Sequence, residues 1–498
     1  MGTRCVSGSH RKHSRHLSRS SQRLMERFDL IAVGGGTAGL VAAAGGAALG
    51  LRTALVERDA LGGDCLWTGC VPSKALIASA KLAHQMRRAD ELGLVGASPG
   101  HAFNSVMDRM RAVRDRVAEH DDPERFRRMG VDVVFGPAEF TAHGRVSVDG
   151  RVLASKRIVV ATGAAPTVPP IPGLEEAGYL THLTAFDQTE LPPRIVMLGG
   201  GPIGLEFAQV YNRLGAEVTV VEMLPQLLPR EEPEAADVVA RALRAEGVVV
   251  HLGVTAEAVE SSPAGEKLVR VRTASGEARA IAADEIFVAT GRRANTEGLG
   301  LERLGVELER GAVRVDDTLR SSTPGLWAAG DVAGGPQFTH VAEYHAKLVL
   351  RNAIFPFSSK TDYSAVPAVT YTDPEVARVG LTEQEARERV ARVGVYRYDF
   401  ADLDRAIVDG HDEGFVKVVT RRNGKILGAT VVGSGAGDLL TPLVLAAKQG
   451  IKLPKLAQLV YSYPTMAEGI KRTADSYYRE KLAGRSGALL RRVVRWLT

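Results

Sequence analysis

The feature that most limits what this chain can fold into occurs twice. "FDLIAVGGGTAGLVAAAGGAALGLRTALVE" begins at Phe28, and "RIVMLGGGPIGLEFAQVYNRLGAEVTVVE" begins at Arg194. Each contains an apolar run, a G-x-G-x-x-G turn, an apolar stretch of helical length, and a second apolar run ending in Glu. Such runs read as parallel strands buried on both faces and joined by a helix. The glycines are Gly34, Gly36 and Gly39 in the first copy, and Gly199, Gly201 and Gly204 in the second. In a dinucleotide fold the first makes the tight turn, the second lets the backbone approach a pyrophosphate, and the third lets helix pack on strand. Phosphate then rests on the helix N-terminus. In both copies the acid falls 18 residues after the third glycine, at Glu57 and Glu222, near the roughly 20 expected of a carboxylate that bonds a ribose hydroxyl. One such turn says little; two, each framed by strand, helix and acid, predict two Rossmann-like domains.

Glu222 also bears on the nucleotide. A carboxylate there repels a 2′-phosphate and accepts a bond from a free 2′-hydroxyl, which predicts NAD rather than NADP. Arg230, downstream, is the residue that argues the other way.

At 498 residues and 45% hydrophobic, the chain is long enough for two or three domains with sizeable cores. Its net charge of +5 does not mark a nucleic-acid binder. Residues 1–24 hold Arg4, Arg11, Lys12, Arg15, Arg19 and Arg23 and no acid, so the rest of the chain carries 57 bases against 58 acids. That leading Ser/Arg/His-rich segment cannot bury enough apolar surface to fold, and 1–25 reads as a disordered basic tail. It is a targeting segment, a regulatory tail, or the product of an upstream start with Met25 as the true beginning; the last is preferred.

Leu30 to Leu51 is 22 residues without a charge, but seven of them are glycine and their spacing fits a nucleotide turn better than a membrane helix. With no other long apolar run, the reading is a cytoplasmic protein with no membrane span, and the scarcity of cysteine agrees.

Only three cysteines occur: Cys5, Cys65 and Cys70. In "GGDCLWTGCVPSK", Gly62 to Lys74, the pair lacks the second half of a zinc site, so no metal ligands are assigned. A structural disulfide is disfavoured by a reducing compartment. Inert thiols remain an alternative, but the pair follows the first nucleotide motif at once, and Pro72, Ser73 and Lys74 open a helix, "SKALIASAKLAHQM". A thiolate at a helix N-terminus is stabilised by backbone amides and the dipole.

The stretch from Gly62 to Lys74 resembles the redox-active motif of the flavin-dependent pyridine nucleotide-disulfide oxidoreductases, the family that includes dihydrolipoamide dehydrogenase, glutathione reductase and mercuric reductase. Similar motifs follow in order: "VVATGAAP" (Val159 to Pro166), "VATGRRAN" (Val288 to Asn295), "LWAAGDVAG" (Leu326 to Gly334), "YTDPEVARVGLTE" (Tyr371 to Glu383) and "YPTMAEG" (Tyr463 to Gly469). The resemblance runs from about Phe28 to Lys481.

It implies an α/β protein with two Rossmann-like dinucleotide-binding domains and a C-terminal α+β dimerisation domain. FAD would lie on residues 26–165 and 295–360, held by Gly34, Gly36, Gly39, Glu57, Lys74, Thr162, Gly163 and Asp331. NAD would lie on 166–294, held by Gly199, Gly201, Gly204, Glu222 and Gly291. Residues 361–482 would pair two chains in an obligate homodimer, and 483–498 would form a basic tail. By the same resemblance, hydride passes from nicotinamide to flavin and on to a Cys65–Cys70 disulfide. Cys70 would touch the flavin, Cys65 would exchange with substrate, and Lys74 and Glu206 would form an ion pair near the flavin's reactive end.

One departure matters. Disulfide reductases of the family carry His-Pro-Thr followed by an acid, whereas this chain reads Tyr463-Pro464-Thr465 with Glu468 after it. A phenol of pKa about 10 is a poor proton shuttle near neutrality beside an imidazole of about 6.5. Tyrosine there resembles mercuric reductase, yet no cysteine follows Cys70 to hand over a metal ion. His340 and His345 read as packing or surface residues rather than replacements. The leading expectation is an FAD-dependent NAD(P)H oxidoreductase working through the cysteine pair on a lipoamide-like disulfide or another small-molecule acceptor. The alternatives are a quinone or metal-ion reductase, and a non-catalytic redox sensor or electron-transfer flavoprotein. For the last, "GALLRRVVRWLT" offers an amphipathic basic segment, although a solvated or packed helix is the preferred reading of it.

Overall fold

The computed structural model describes residues 25–98, 100, 102–262 and 265–498. The basic stretch 1–24, Cys5 included, lies outside the described residues. Met25, placed above in the tail, begins a short strand, Met25–Arg27, that pairs in parallel with Arg151–Ala154.

Both nucleotide motifs fold as strand, turn, helix, strand. The first sheet runs Leu326–Ala328, Ile158–Val160, Leu30–Val33, Thr53–Glu57, Val131–Phe135, all parallel. The second runs Val249–Leu252, Glu217–Glu222, Arg194–Leu198, Glu285–Val288, again all parallel. Leu326–Ala328 belongs to the first sheet, so the chain returns to it after building the second. Continuous apolar strands are explained by helices on the sheet faces, which leave residues such as Leu30, Ile31 and Ala32 fully buried.

The long uncharged stretch is thereby divided between Leu30–Val33 and helix Thr37–Ala48. Its glycines let the helix close on two sides: a Cβ on Gly45 would lie 2.5 Å from Leu350, and one on Gly46 would lie 2.7 Å from Leu30. No helix among the described residues is long and apolar enough to cross a membrane.

The helix that begins at the second cysteine, Cys70–Arg87, is longer than its sequence signal. It starts three residues before Ser73 and includes Pro72, whose missing N–H costs nothing in a first turn. Its Ala75, Leu76 and Ala80 share a core with Leu205, Phe207, Ala208 and Val210 of helix Pro202–Arg213. Phe207 also packs 4.6 Å, centroid to centroid, from Phe287 of the second sheet. Burial of side chains this large is worth about 2–3 kcal/mol each relative to exposure, so the two helices are fixed against each other. Beside that core, buried Arg213 bonds Glu246 at 2.6 Å and Asp373 at 3.1 Å, and Lys81 reaches Asp373 at 3.2 Å.

The C-terminal part is an antiparallel sheet ordered Pro367–Thr370, Glu375–Gly380, Ile426–Gly433, Phe415–Arg421, Val393–Asp399. Helices Ala436–Gln449 and Glu468–Ala483 contribute Leu440, Leu443, Ile470 and Ala474 to its core. The segment expected as a basic tail is a helix, Arg485–Leu497.

Candidate active site

The two cysteines rest on the first nucleotide turn. Cys65 lies in the short helix Gly63–Trp67, and Cys70 is the first residue of Cys70–Arg87. Gly63, at φ 57°, sits so close to Gly36 that a Cβ on it would be 2.7 Å from Gly36 Cα. Only a glycine meets both the left-handed backbone and that contact. The cysteine-bearing helix therefore lies backbone against backbone on the turn that sequence reading assigns to a pyrophosphate.

Both cysteines are free thiols in the structure. The Cys65 thiol donates to Cys70, and Cys70 Sγ is also 3.4 Å from Thr339 Oγ1. That bond from Cys65, the one to Thr339 and the charge of Lys74 together outweigh burial and bring the Cys70 thiol down to about 6. The same donated bond, with burial, pushes the Cys65 thiol well above the ordinary thiol range. One thiol is thus held as thiolate near neutrality and its neighbour is held protonated.

Lys74 and Glu206 meet as expected, at 2.8 Å. Glu206 is buried, and its other oxygen accepts the Tyr371 amide at 3.0 Å. Lys74 Nζ also lies 4.3 Å above the Tyr371 ring, within cation–π range.

The two glycine turns are alike in detail. Gly34 and Gly199 have φ of 111° and 113°. A Cβ on Gly39 would sit 1.8 Å from Gly34 O, and one on Gly204 would sit 2.1 Å from Gly199 O. The middle positions face space instead: a Cβ on Gly201 would meet nothing within 4 Å, and one on Gly36 only Gly63 Cα at 3.8 Å. That is the shape a pyrophosphate needs, so both turns fit a dinucleotide. Glu57 accepts the amides of Gly35 at 2.6 Å and Asp59 at 2.8 Å; Glu222 accepts those of Gly200 at 2.7 Å and Leu224 at 2.8 Å. Each acid thus braces its own turn, a partner that spacing alone did not reveal.

Thr162, Gly163 and Gly291 lie where the chain crosses between the two parallel sheets. Strand Ala164–Pro166 pairs with Arg292–Ala294, and Thr162 Oγ1 donates to Asn295 O at 2.7 Å. A Cβ on Gly163 or Gly291 would meet nothing within 4 Å. Asp331, in the turn Gly330–Ala333, lies 3.4 Å from Arg292, which also binds Asp64 at 2.5 Å. Burial raises the pKa of both carboxyls against the pull of Arg292. His345 is fully buried: the Gly330 amide donates to its Nδ1 at 3.1 Å, so Nε2 carries the proton toward Tyr363 Oη at 2.8 Å. Burial brings this imidazole down to about 4, which keeps it neutral. His340 is exposed, stacked on Phe338. Both are the packing and surface residues expected.

Tyr463 and Glu468 are not joined to the cysteines of the same chain by any hydrogen bond or ion pair among the described residues. Tyr463 is 68% exposed, and its hydroxyl donates to Asp404 Oδ2 at 3.1 Å. Glu468 is buried at the start of its helix, 3.7 Å from Arg472. Tyrosine in place of histidine has thus taken Asp404, not Glu468, as partner, and that carboxylate raises the phenol's pKa further. Sequence reasoning missed Asp64, Arg292, Thr339, Tyr371 and Asp404. Of these, Asp64, Arg292 and Tyr371 stand inside quoted motifs, the one signal that pointed to them.

Two dinucleotide turns with a polarised cysteine pair lying on the first define a nucleotide-dependent oxidoreductase. The family model described as pyridine nucleotide-disulphide oxidoreductase matches residues 28–346, and its dimerisation-domain companion matches 366–474. The chain belongs to the pyridine nucleotide-disulphide oxidoreductase family, whose enzymes use FAD and NAD(P)H. It is 36% identical to a mercuric reductase of Streptomyces lividans over 458 residues, 90% of this chain and 96% of that one. It is 35% identical to a dihydrolipoyl dehydrogenase of Thermus scotoductus over 470 residues, 92% and 99% of the two chains. Among solved structures, a Cu(II) complex of the HOCl-induced flavoprotein disulfide reductase RclA of Escherichia coli superposes with TM-score 0.81 at 28% identity, covering 91% of this chain and all of that one. LpdA of Mycobacterium tuberculosis gives 0.82 at 29% identity, covering 91% and 99%.

Proposed function

We propose that this protein is an FAD-dependent NADH oxidoreductase that delivers electrons through Cys65 and Cys70 to a thiophilic metal ion. The observation that carries the choice of acceptor is the Tyr463–Asp404 hydrogen bond. Reduction of a disulfide ends on a leaving thiolate that must be protonated, and a phenol whose pKa is raised by a carboxylate is badly matched to that task. Reduction of an ion held between the two cysteine thiolates returns those thiolates to the protein and leaves no substrate thiolate to protonate: each NADH becomes NAD+ with loss of a proton to solvent and two electrons, taken by one Hg(II) or by two Cu(II) ions in turn. The mercuric reductases among its relatives and the Cu(II) complex of RclA support the same class of substrate.

The residues divide the work as follows. Gly34, Gly36, Gly39, Glu57, Thr162, Gly163 and Asp331 hold FAD, which when bound relays two electrons between nicotinamide and the thiols. Gly199, Gly201, Gly204 and Gly291 hold the nicotinamide nucleotide, and Glu222, buried and negative, favours NADH over NADPH. Cys70, the thiolate at the helix start, would be the thiol beside the flavin, and Cys65 would be the thiol that meets the acceptor. Lys74 and Glu206 set the charge beside Cys70. Residues 361–482 pair two chains, in keeping with the dimerisation-domain match, and Tyr463 and Glu468 serve the site of the other chain.

A lipoamide-like disulfide is the second reading. The split between a low-pKa Cys70 and a high-pKa Cys65 favours it, since exchange uses one stabilised thiolate and one proton-bearing thiol. Anaerobic enzyme reduced by NADH and mixed separately with Hg(II), Cu(II) and lipoamide decides between them. Reoxidation at least tenfold faster with either ion supports the proposal; faster reoxidation by lipoamide overturns it.

A further inference from the structure

The C-terminal helix Arg485–Leu497 lies beyond both matched family regions, the second of which ends at residue 474. It folds back on the preceding helix at Gly484. Gly487 is buried there, a Cβ on it would be 1.8 Å from Leu482 O, and Arg491 donates to that same carbonyl at 2.7 Å. Among the described residues, nothing covers the rest of the helix. Leu489, Leu490, Val493, Val494, Trp496 and Leu497 are between 44% and 84% exposed. At about 3.6 residues per turn they form one continuous apolar arc, with Arg491 and Arg492 on its two margins and Arg495 behind.

We propose that this helix docks the enzyme on a membrane surface that carries anionic lipid. Charge selects that occupant. Residues 484–498 contain no Asp or Glu, and Arg491, Arg492 and Arg495 have no ion pair among the described residues. Two such helices placed face to face would bring arginine margins together with nothing to neutralise them. An anionic lipid surface satisfies the margins while its acyl boundary takes the leucines, valines and Trp496, whose indole suits an interface. The helix lies on the surface rather than across it, because 13 residues extend about 20 Å against a hydrocarbon core of about 30 Å.

The test is flotation of the full-length holoenzyme with vesicles of phosphatidylglycerol and phosphatidylcholine, and with phosphatidylcholine alone. The expected result is flotation with the anionic vesicles only, falling at least tenfold in 0.5 M salt by loss of the charge contribution, on the order expected for several phosphate contacts. The double variant Leu490→Asp, Val493→Asp should lose it while keeping FAD and NADH-driven turnover in solution. No flotation of the unaltered protein overturns the proposal, as does equal flotation on phosphatidylcholine. Undiminished flotation of the double variant overturns it too, because the basic residues 1–24 would then be responsible. A fall in oligomer mass of the double variant, with no flotation by the unaltered protein, would show the face to be covered by a second copy of the chain.

Discussion

The ammonium of Lys74 stands 2.8 Å from the carboxylate of Glu206, and this contact sets the charge felt by Cys70. Lys74 draws the Cys70 pKa down and Glu206 pushes it up. Lys74→Met should therefore raise the Cys70 pKa, and Glu206→Gln should lower it. Iodoacetamide reactivity of NADH-reduced enzyme against pH reads both, and shifts of the same sign would contradict the assignment.

Cys70 itself should titrate near 6. Above that pH it is thiolate and alkylates fast; below it the rate falls tenfold per pH unit. Cys65→Ala removes the largest contribution to the lowered value, so the midpoint should climb toward the 8.5 or so of a free thiol. A midpoint unmoved by the replacement would show that the helix start alone holds the thiolate.

Arg292 should be a weak point of the nucleotide site. Arg292→Met leaves Asp64 and Asp331 facing each other without their shared cation. Because these groups are partly exposed, the expected loss is about 2 kcal/mol rather than the larger cost of a fully buried pair. Urea unfolding measures it, and FAD release should rise at least tenfold. Asp64→Asn in the same background should restore part of both.

The tyrosine at the C-terminal motif offers a gain rather than a loss. Tyr463→His supplies an imidazole whose pKa suits proton transfer, and lipoamide turnover should rise by about 10-fold or more. Turnover of Hg(II) or Cu(II) should not improve. An unchanged kcat/KM for lipoamide would mean that proton supply at this position does not limit disulfide reduction.

The glycine turns separate the two nucleotides. Gly204→Ala places a methyl 2.1 Å from Gly199 O and should abolish NADH reduction while FAD stays bound. Gly39→Ala, at 1.8 Å from Gly34 O, should yield protein without FAD. Absorbance of the purified variants distinguishes the outcomes.

Much of this was legible in advance because it is local. A glycine turn, the apolar runs around it and the acid that closes it all fall within one βαβ unit, where spacing carries the geometry. The cysteine helix was legible too, except for its first turn, where Pro72 hides rather than forbids the start. What was not legible joins distant parts of the chain. Cys70 and Thr339 are 269 residues apart, Asp64 and Arg292 are 228 apart, and the partner of Tyr463 lies 59 residues upstream. No periodicity connects such pairs, and only tertiary packing brings them together. The exposed face of Arg485–Leu497 belongs to the same class, because amphipathic pattern gives a helix but not what covers it.

The contact of Gly63 with Gly36 fixes a length scale for the chemistry. Two backbones in direct contact leave no side chain whose substitution could widen the gap between the thiols and the nucleotide turn. On the proposed function, the spacing over which electrons would travel is therefore insulated from drift elsewhere in the chain. Tyr463 and Asp404, both exposed on the surface, carry no such restraint, so on the proposed function a scaffold of this kind could exchange one acceptor for another while the contact at Gly63 stays in place.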